Sequence, residues 1–300
     1  PDVLVLSALL PKILGAKVIL DLHDPMPELM TTIFGVDPSS RSVKLMKWLE
    51  KWSMARADEV LTVNIACQRI FVGRSCPREK VTVVMNSPDG EIFPFRPALS
   101  RPPTNNDGDR PFVIMYHGSL VERNGVDLAV EALTLVRQKL PRAQLHIYGK
   151  QTPFLESVMQ SVRDHGLDQS VLYFGQKSLE EIVRAIDACD VGVIPNHRNA
   201  FTDINTPTRI FEYLALGKPV ITPRTPGIRD YFADDSLLLF EAGNADDLAK
   251  KIAFAACHPA EALHIAERGQ KVYAAHSWDE ERKTLVGLVS KLLERGESQQ

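Results

Sequence analysis

The chain is 300 residues long, 44% hydrophobic and 24% charged, with a formal net charge of −3. That balance belongs to a globular protein with room for two domains or one large α/β unit, and it excludes a disordered or fibrous chain. A net charge of that sign gives no reason to expect a nucleic-acid partner, and charge, Pro or Gly interrupts every apolar run before it reaches the length of a membrane span.

The sequence given opens at Pro1, at full hydrophobicity, as though within a domain, and its first residues are not expected to act as a signal peptide. Asp2 can cap a helix that ends at Gly15 and is kinked at Pro11. KVILDLH (17–23) is expected as a buried strand, and Pro25 and Pro27 bar the loop after it from continuing as helix. An amphipathic helix over about 40–56 precedes the strand EVLTVN, a helix over about 65–74 and the strand VTVVMNS. Residues 87–110 hold five prolines with several Asn, Asp and Gly residues, the composition of a linker. A second series follows: strand FVIMYHG, helix about 125–139, strand AQLHIYG, helix about 152–165, strand VLYFG, helix about 178–187 and strand VGVIP. The stretch NTPTRIFEYLALGKPVIT (205–222), a strand SLLLF and helices from about 244 to 294 complete it.

Strands alternating with helical patterns predict α/β architecture with parallel sheets. The second half makes a complete Rossmann-like domain of six or seven strands. The first half is two or three βα units short and is expected to be the tail of another such domain. The expected boundaries are 1–96 for a partial N-terminal domain, 97–276 for the C-terminal one, and 277–300 for a helix packing back on the first. Cys67, Cys76, Cys189 and Cys257 show no C-x-x-C spacing and suit small buried hydrophobes or idle thiols, with a cytoplasmic setting as the default.

Ligands of open parallel sheets bind outside the carboxyl ends of the strands, which singles out four stretches. In 205–222, Thr206 suits an N-cap and Pro207 the first helical position, so the amides of Thr208 and Arg209 should point out of the helix start. An uncovered helix start beside an arginine suits a phosphate or diphosphate. Glu212, about 9 Å along the axis from the cap, shares the face of Thr208 and Arg209 and can accept both hydrogens of a vicinal diol. The alternative is an amphipathic helix with an Arg209–Glu212 surface pair. In YHGSLVERNG (116–125), Gly118 and Gly125 allow close backbone approach and Arg123 can reach an anion; the alternative is an ordinary βα loop. His23, at the end of the first strand, can serve as acid, base or hydroxyl partner, or be satisfied by backbone. In 42–56, Leu45, Trp48, Leu49 and Trp52 form one stripe and Lys44, Lys47 and Lys51 another. That pattern suits a core-packing helix with a solvated basic face, and it also permits an interfacial membrane helix. Zinc-type spacing, a Walker loop, a G-x-S-x-G elbow and an EF-hand loop are all absent.

Three of these stretches and the approach to the linker, in order, resemble the retaining family-4 glycosyltransferases of the GT-B fold: VILDLHDPMPE, VMNSPDGEIFPF, YHGSLVERNGVDLAVEAL and TPTRIFEYLALGKPVI. The resemblance implies two facing Rossmann-like domains and transfer of a sugar from a nucleoside-diphosphate sugar to a glycan or lipid-linked acceptor, with retention of configuration. By position, Glu212 would grip the nucleotide ribose. The amides around Thr206, Pro207 and Thr208 would touch the diphosphate, with Arg209 beside it. Gly118, Ser119 and Arg123 match the phosphate loop, and Phe174, Gly175 and Lys177 would frame the base. His23 would lie near sugar and acceptor. No metal and no cofactor are implied beyond the donor.

Three departures stand out. The glutamate usually found eight positions before Glu212 is Ile204, so Asp203 or Asn205 is taken as the partner of the donor-sugar hydroxyls. The usual Arg and Lys of the phosphate loop are Ser119 and Asn124, leaving Arg123 to supply the charge. A Gly-rich acceptor loop is missing from the start. Two other functions share these features: a nucleotide-sugar epimerase, and a non-catalytic nucleotide-sugar-binding module. The expected setting is cytoplasmic, with peripheral membrane contact through 42–56.

Overall fold

The computed structural model describes residues 2–100 and 110–297. They fall into two compact units, one drawn from Pro1–Asn86, Asn199–Thr206 and His276–Gln300, the other from Ser87–Arg198 and Pro207–Ala275. The segment 199–206, inside the span expected for the second domain, groups with the first unit.

In the first unit a 3-10 run, Asp2–Ala8, leads into the short helix α1 (Leu9–Ile13) rather than one helix to Gly15. Strands β1 (Ile19–Leu22), β2 (Glu59–Thr62) and β3 (Val81–Val83) form a parallel sheet in the order β1-β2-β3. Between β1 and β2 lie α2 (Met26–Ile33) and α3 (Arg41–Arg56); α4 (Ile65–Gly73) joins β2 to β3. Helix α2 corrects the expectation that Pro25 and Pro27 exclude a helix there. Pro25 is the N-cap and Pro27 lies in the first turn, where a missing N–H breaks no intrahelical bond. Ser40 caps α3 by accepting from the Val43 N–H (3.3 Å), and Asn64 caps α4 through the Cys67 N–H (2.7 Å). The core gathers Leu20, Leu22, Met54, Val60, Cys67, Phe71 and Val81.

The buried face of α3 is not the expected one. Val43, Glu50, Ser53 and Met54 point inward, whereas Leu45 (55% exposed) and Trp48 (57%) face solvent beside Lys44, Lys47 and Lys51. Glu50 explains the rotation: it pairs with Arg74 at 2.5 Å, and Arg74 also holds Glu28 of α2. A buried carboxylate keeps its cation partner, because breaking such a pair costs about 3–5 kcal/mol.

The second unit is a six-stranded parallel sheet in the order β6-β5-β4-β7-β8-β9. Its strands are β4 (Val113–His117), β5 (Gln144–Tyr148), β6 (Val171–Tyr173), β7 (Val191–Val193), β8 (Val220–Pro223) and β9 (Leu238–Phe240). Helices α5 (Val126–Val136), α6 (Pro153–Asp164), α7 (Leu179–Ala188), α8 (Thr208–Ala215), α9 (Pro226–Arg229), α10 (Ala245–Cys257) and α11 (Pro259–Ala275) complete the unit. Thr152 caps α6, and a Ser178–Glu181 capping box starts α7. Because β5 and β6 grow to one side of β4 and β7 to β9 to the other, the topological switch point lies between β4 and β7. The last helix, α12 (Trp278–Glu297), belongs to the first unit, where Glu281 accepts from the Met85 N–H (2.8 Å) and pairs with His276 (2.8 Å). Among the described residues no helix is long and apolar enough to cross a membrane.

Helix α8 is mostly core. Ile210, Phe211, Tyr213, Leu214 and Ala215 are buried, while Thr208, Arg209 and Glu212 form a narrow half-buried polar strip. Each large apolar side chain buried here contributes roughly 1.5–3 kcal/mol. Tyr213 lies flat on β7 because position 192 is glycine; a Cβ there would meet the ring at 2.5 Å. Gly217 stops the helix in the left-handed region (φ 70°). Gln270 of α11 donates to Arg96 O and Leu214 O (2.7 Å each) and accepts from the Ala98 N–H (2.9 Å), tying the segment before β4 to the end of α8.

Candidate functional site

The carboxyl end of β4 meets the polar strip of α8 at the switch point. His117 is buried and bonds twice: Nε2 to Glu212 Oε2 at 2.6 Å, and Nδ1 to the Tyr213 hydroxyl at 3.1 Å. The Tyr213 hydroxyl donates to Met115 O at 2.7 Å. Arg209 Nη1 donates to His117 O at 2.7 Å, and its guanidinium lies 4.9 Å from the Tyr116 ring centroid. Arg209 is therefore bound to the strand end, not to Glu212 as the surface-pair alternative required. Gly118 has φ 127°, a backbone shape that favours glycine, and a Cβ on it would come within 3.2 Å of Arg209 Nη1 and press on the guanidinium.

Electrostatics follow from burial. Loss of hydration, aided by the Arg209 charge, pushes His117 down to about 3, so the ring is neutral. Loss of hydration raises Glu212 to about 7 against the opposing pull of Arg209. A carboxyl so perturbed at a strand's carboxyl end is a mark of functional sites.

The remaining expected residues fall into place unevenly. The N-cap of α8 is Pro207, not Thr206, and no side chain caps it; the helix starts at Thr208. The Thr208 and Arg209 amides belong to the first turn, which has no intrahelical acceptors. Ser119 offers its carbonyl to the Tyr116 hydroxyl and to Asn124 Nδ2, both at 2.7 Å. Arg123 is half-buried in a 3-10 turn, Glu122–Asn124, whose backbone holds the His197 N–H (3.0 Å). Phe174, 41% exposed after β6, stacks on Tyr148 at 4.9 Å and 11°. Gly175 takes a left-handed turn (φ 77°), and Lys177 pairs with Glu181 at 3.4 Å.

The other expected residues belong to the first unit. His23 follows β1, half exposed, with Nε2 on Asp21 Oδ2 at 3.1 Å. Asn199 folds a turn by accepting from the amides of Phe201 (3.0 Å) and Thr202 (2.9 Å), and the Asp203 N–H returns to Asn199 O (2.9 Å). Ile204 packs on the first unit's core, and its carbonyl accepts from Asn64 Nδ2 at 3.1 Å. Asn205 and Thr206 are half-buried beside it. His117 and Tyr148 were not among the residues expected at the site. His117 lay in a quoted motif, but its partner is 95 residues away, so no local spacing marks it. Tyr148 could have been found as an aromatic closing a strand before Gly149. Among the described residues no group of three or more His, Cys, Asp or Glu could hold a metal ion.

This arrangement has counterparts in known proteins. The family model for glycosyl transferases group 1 matches residues 99–272. The chain belongs to that family. This group 1 glycosyl transferase is 27% identical over 200 residues to the amylovoran biosynthesis glycosyltransferase AmsK of Erwinia amylovora, covering 65% of this chain and 46% of that protein. It is 25% identical over 181 residues to glycogen synthase of Mycobacterium tuberculosis, covering 60% of this chain and 41% of that protein. The group 1 chain thus spans less than half the length of these curated relatives. Among solved structures it is similar to Anabaena HepE in complex with UDP, with a TM-score of 0.77, 18% identity, and coverage of 96% of this chain and 76% of that one. The likeness establishes the fold of the group 1 chain, GT-B with parallel-sheet Rossmann-like units.

Proposed function

We propose that this group 1 chain serves a family-4 retaining glycosyltransferase, moving a sugar from a nucleoside-diphosphate sugar to a glycan or lipid-linked acceptor. The observation that carries the proposal is Glu212, a perturbed carboxyl at the switch point, one turn past an uncapped helix start and beside Arg209. Glu212 receives the ribose hydroxyls. The Thr208 and Arg209 amides, with Thr206 and Pro207 before them, meet the diphosphate, and Gly118, Ser119 and Arg123 flank it. Phe174, Gly175 and Lys177 frame the base. Asp203 or Asn205 serves the donor sugar, and His23 the acceptor side. As the bond from the anomeric carbon to the phosphate oxygen breaks, charge grows on the leaving diphosphate, where the helix start and arginines stabilise it; the acceptor hydroxyl oxygen bonds to the same face of that carbon, and its proton passes to the departing diphosphate. The donor is the co-substrate and no further cofactor is needed. HepE, similar in fold, has been solved with UDP-glucose, which supports a donor of this class.

Thermal-shift measurements with UDP-, GDP- and ADP-sugars test the proposal. A bound donor at a hundred times its Kd stabilises the folded form by about 2.7 kcal/mol. Glu212→Ala should weaken that ligand about 10- to 100-fold by calorimetry. Unchanged affinity in the variant would remove Glu212 from the site. A second reading, a non-catalytic nucleotide-sugar-binding module, is favoured by Ile204 packing into the first unit's core and by Asn124 closing the β4 loop on Ser119. Donor binding without product, across a panel of glycan and lipid-linked acceptors, would select it.

A further inference from the structure

Around His117 the hydrogens can be counted. Tyr213 has one hydroxyl hydrogen, and it goes to Met115 O at 2.7 Å. The hydroxyl oxygen can then only accept from His117 Nδ1 at 3.1 Å, which makes Nδ1 the protonated nitrogen. In a neutral ring Nε2 is a lone pair, and it faces Glu212 Oε2 at 2.6 Å. A hydrogen must lie between them, on the carboxyl or as a second proton on the ring. Burial decides for the carboxyl: the two side chains are 7% and 19% exposed, and separated charge is costly in so dry a setting. Arg209, bonded to His117 O, penalises a positive ring further. The other ionisable groups nearby, Tyr116 on β4, Tyr213 on α8 and Cys189 before β7, supply no cation. The directions agree, with burial first among the causes: His117 is held down at about 3 and Glu212 up at about 7.

We infer that Glu212 acts as a neutral carboxylic acid whose proton is held by His117 Nε2, and that His117 is the positioning residue that fixes this state. The consequence for the ligand rests on the ribose reading above. Oε1, an acceptor with two lone pairs, meets the diol alone, and Arg209 keeps its full charge for the diphosphate instead of sharing it with a carboxylate.

Two measurements test the inference. Nitrogen-15 NMR of the histidine rings at about pH 5, between the two shifted values, assigned with His117→Gln and Glu212→Gln, should show His117 as the neutral Nδ1–H tautomer. An Nε2–H tautomer or an imidazolium overturns the inference without any ligand, and the wild-type spectrum decides even if His117→Gln fails to fold. The second measurement is calorimetry with UDP-glucose and GDP-mannose as probes. Wild-type affinity should fall about tenfold per pH unit above about pH 7, and the fall should vanish in Glu212→Gln, whose amide keeps an N–H for His117. Glu212→Gln should also bind about tenfold more tightly than Glu212→Ala. If both variants are equally weak, the neutral acid is wrong and the ribose site stands. If Glu212→Ala binds as tightly as wild type, or neither probe binds, the ribose reading falls, and the tautomer alone decides the state of Glu212.

Discussion

Glu212 and His117 are 95 residues apart in sequence and 2.6 Å apart in space. Their shifted proton affinities give the folded protein a particular pH dependence. Glu212 is raised from 4.5 to about 7, so between these values the folded state binds a proton that the unfolded chain has released, and stability falls as pH rises. His117 is lowered from 6.5 to about 3, so between these values the unfolded chain binds the extra proton, and stability falls as pH drops. The two slopes cancel between about pH 4.5 and 6.5, leaving a plateau with losses on either side. Glu212→Gln removes only the first slope. In urea unfolding, the wild type should lose about 1.4 kcal/mol per pH unit relative to this variant from about pH 4.5 to 7, then level off. A flat difference would mean that Glu212 titrates normally. At this scale the sequence showed Glu212, Arg209 and Gly118, because helix spacing and glycine carry them. It could not show the partner of Glu212, which arrives on a different strand.

Helix α8 shows how far an element is legible. Its stripe and its Gly217 stop are local features, and both stand where the pattern put them. Its cap moved one residue, to Pro207, because a proline with extended backbone can precede a helix without any side-chain bond. The contact that sets its height over the sheet is Tyr213 on Gly192, and no periodicity records it. Gly192→Ala would drive a methyl to 2.5 Å from the Tyr213 ring, so the expected cost is about 1–3 kcal/mol by denaturant unfolding, with weaker nucleotide binding as His117 loses its seat. A cost near zero would mean that α8 can shift without penalty. Helices α2 and α3 went differently from expectation for physical reasons. Prolines fit a first turn, and a buried Arg74–Glu50 pair outweighs an apolar stripe when a helix chooses its face.

At the scale of the whole molecule, two parallel sheets follow from alternation of strand and helix, and the second sheet's order puts its switch point at the end of β4. The exposed Leu45 and Trp48 beside three lysines bear on where the molecule works. If 42–56 meets an anionic interface, Leu45→Glu with Trp48→Glu should cut co-sedimentation with anionic lipid vesicles about tenfold while leaving the melting temperature unchanged. Equal sedimentation of variant and parent would discard the contact. From its sequence alone the protein was bound to an α/β fold with helix starts, glycine stops and strand ends at known places, since these depend on a few adjacent residues. Tertiary structure alone decided which face of α3 is buried, that Ile204 joins the first unit's core, and that His117 holds Glu212. Each of these turns on burial and on partners brought from far along the chain, and the energy of a buried charge is set by what surrounds it rather than by its neighbours in sequence.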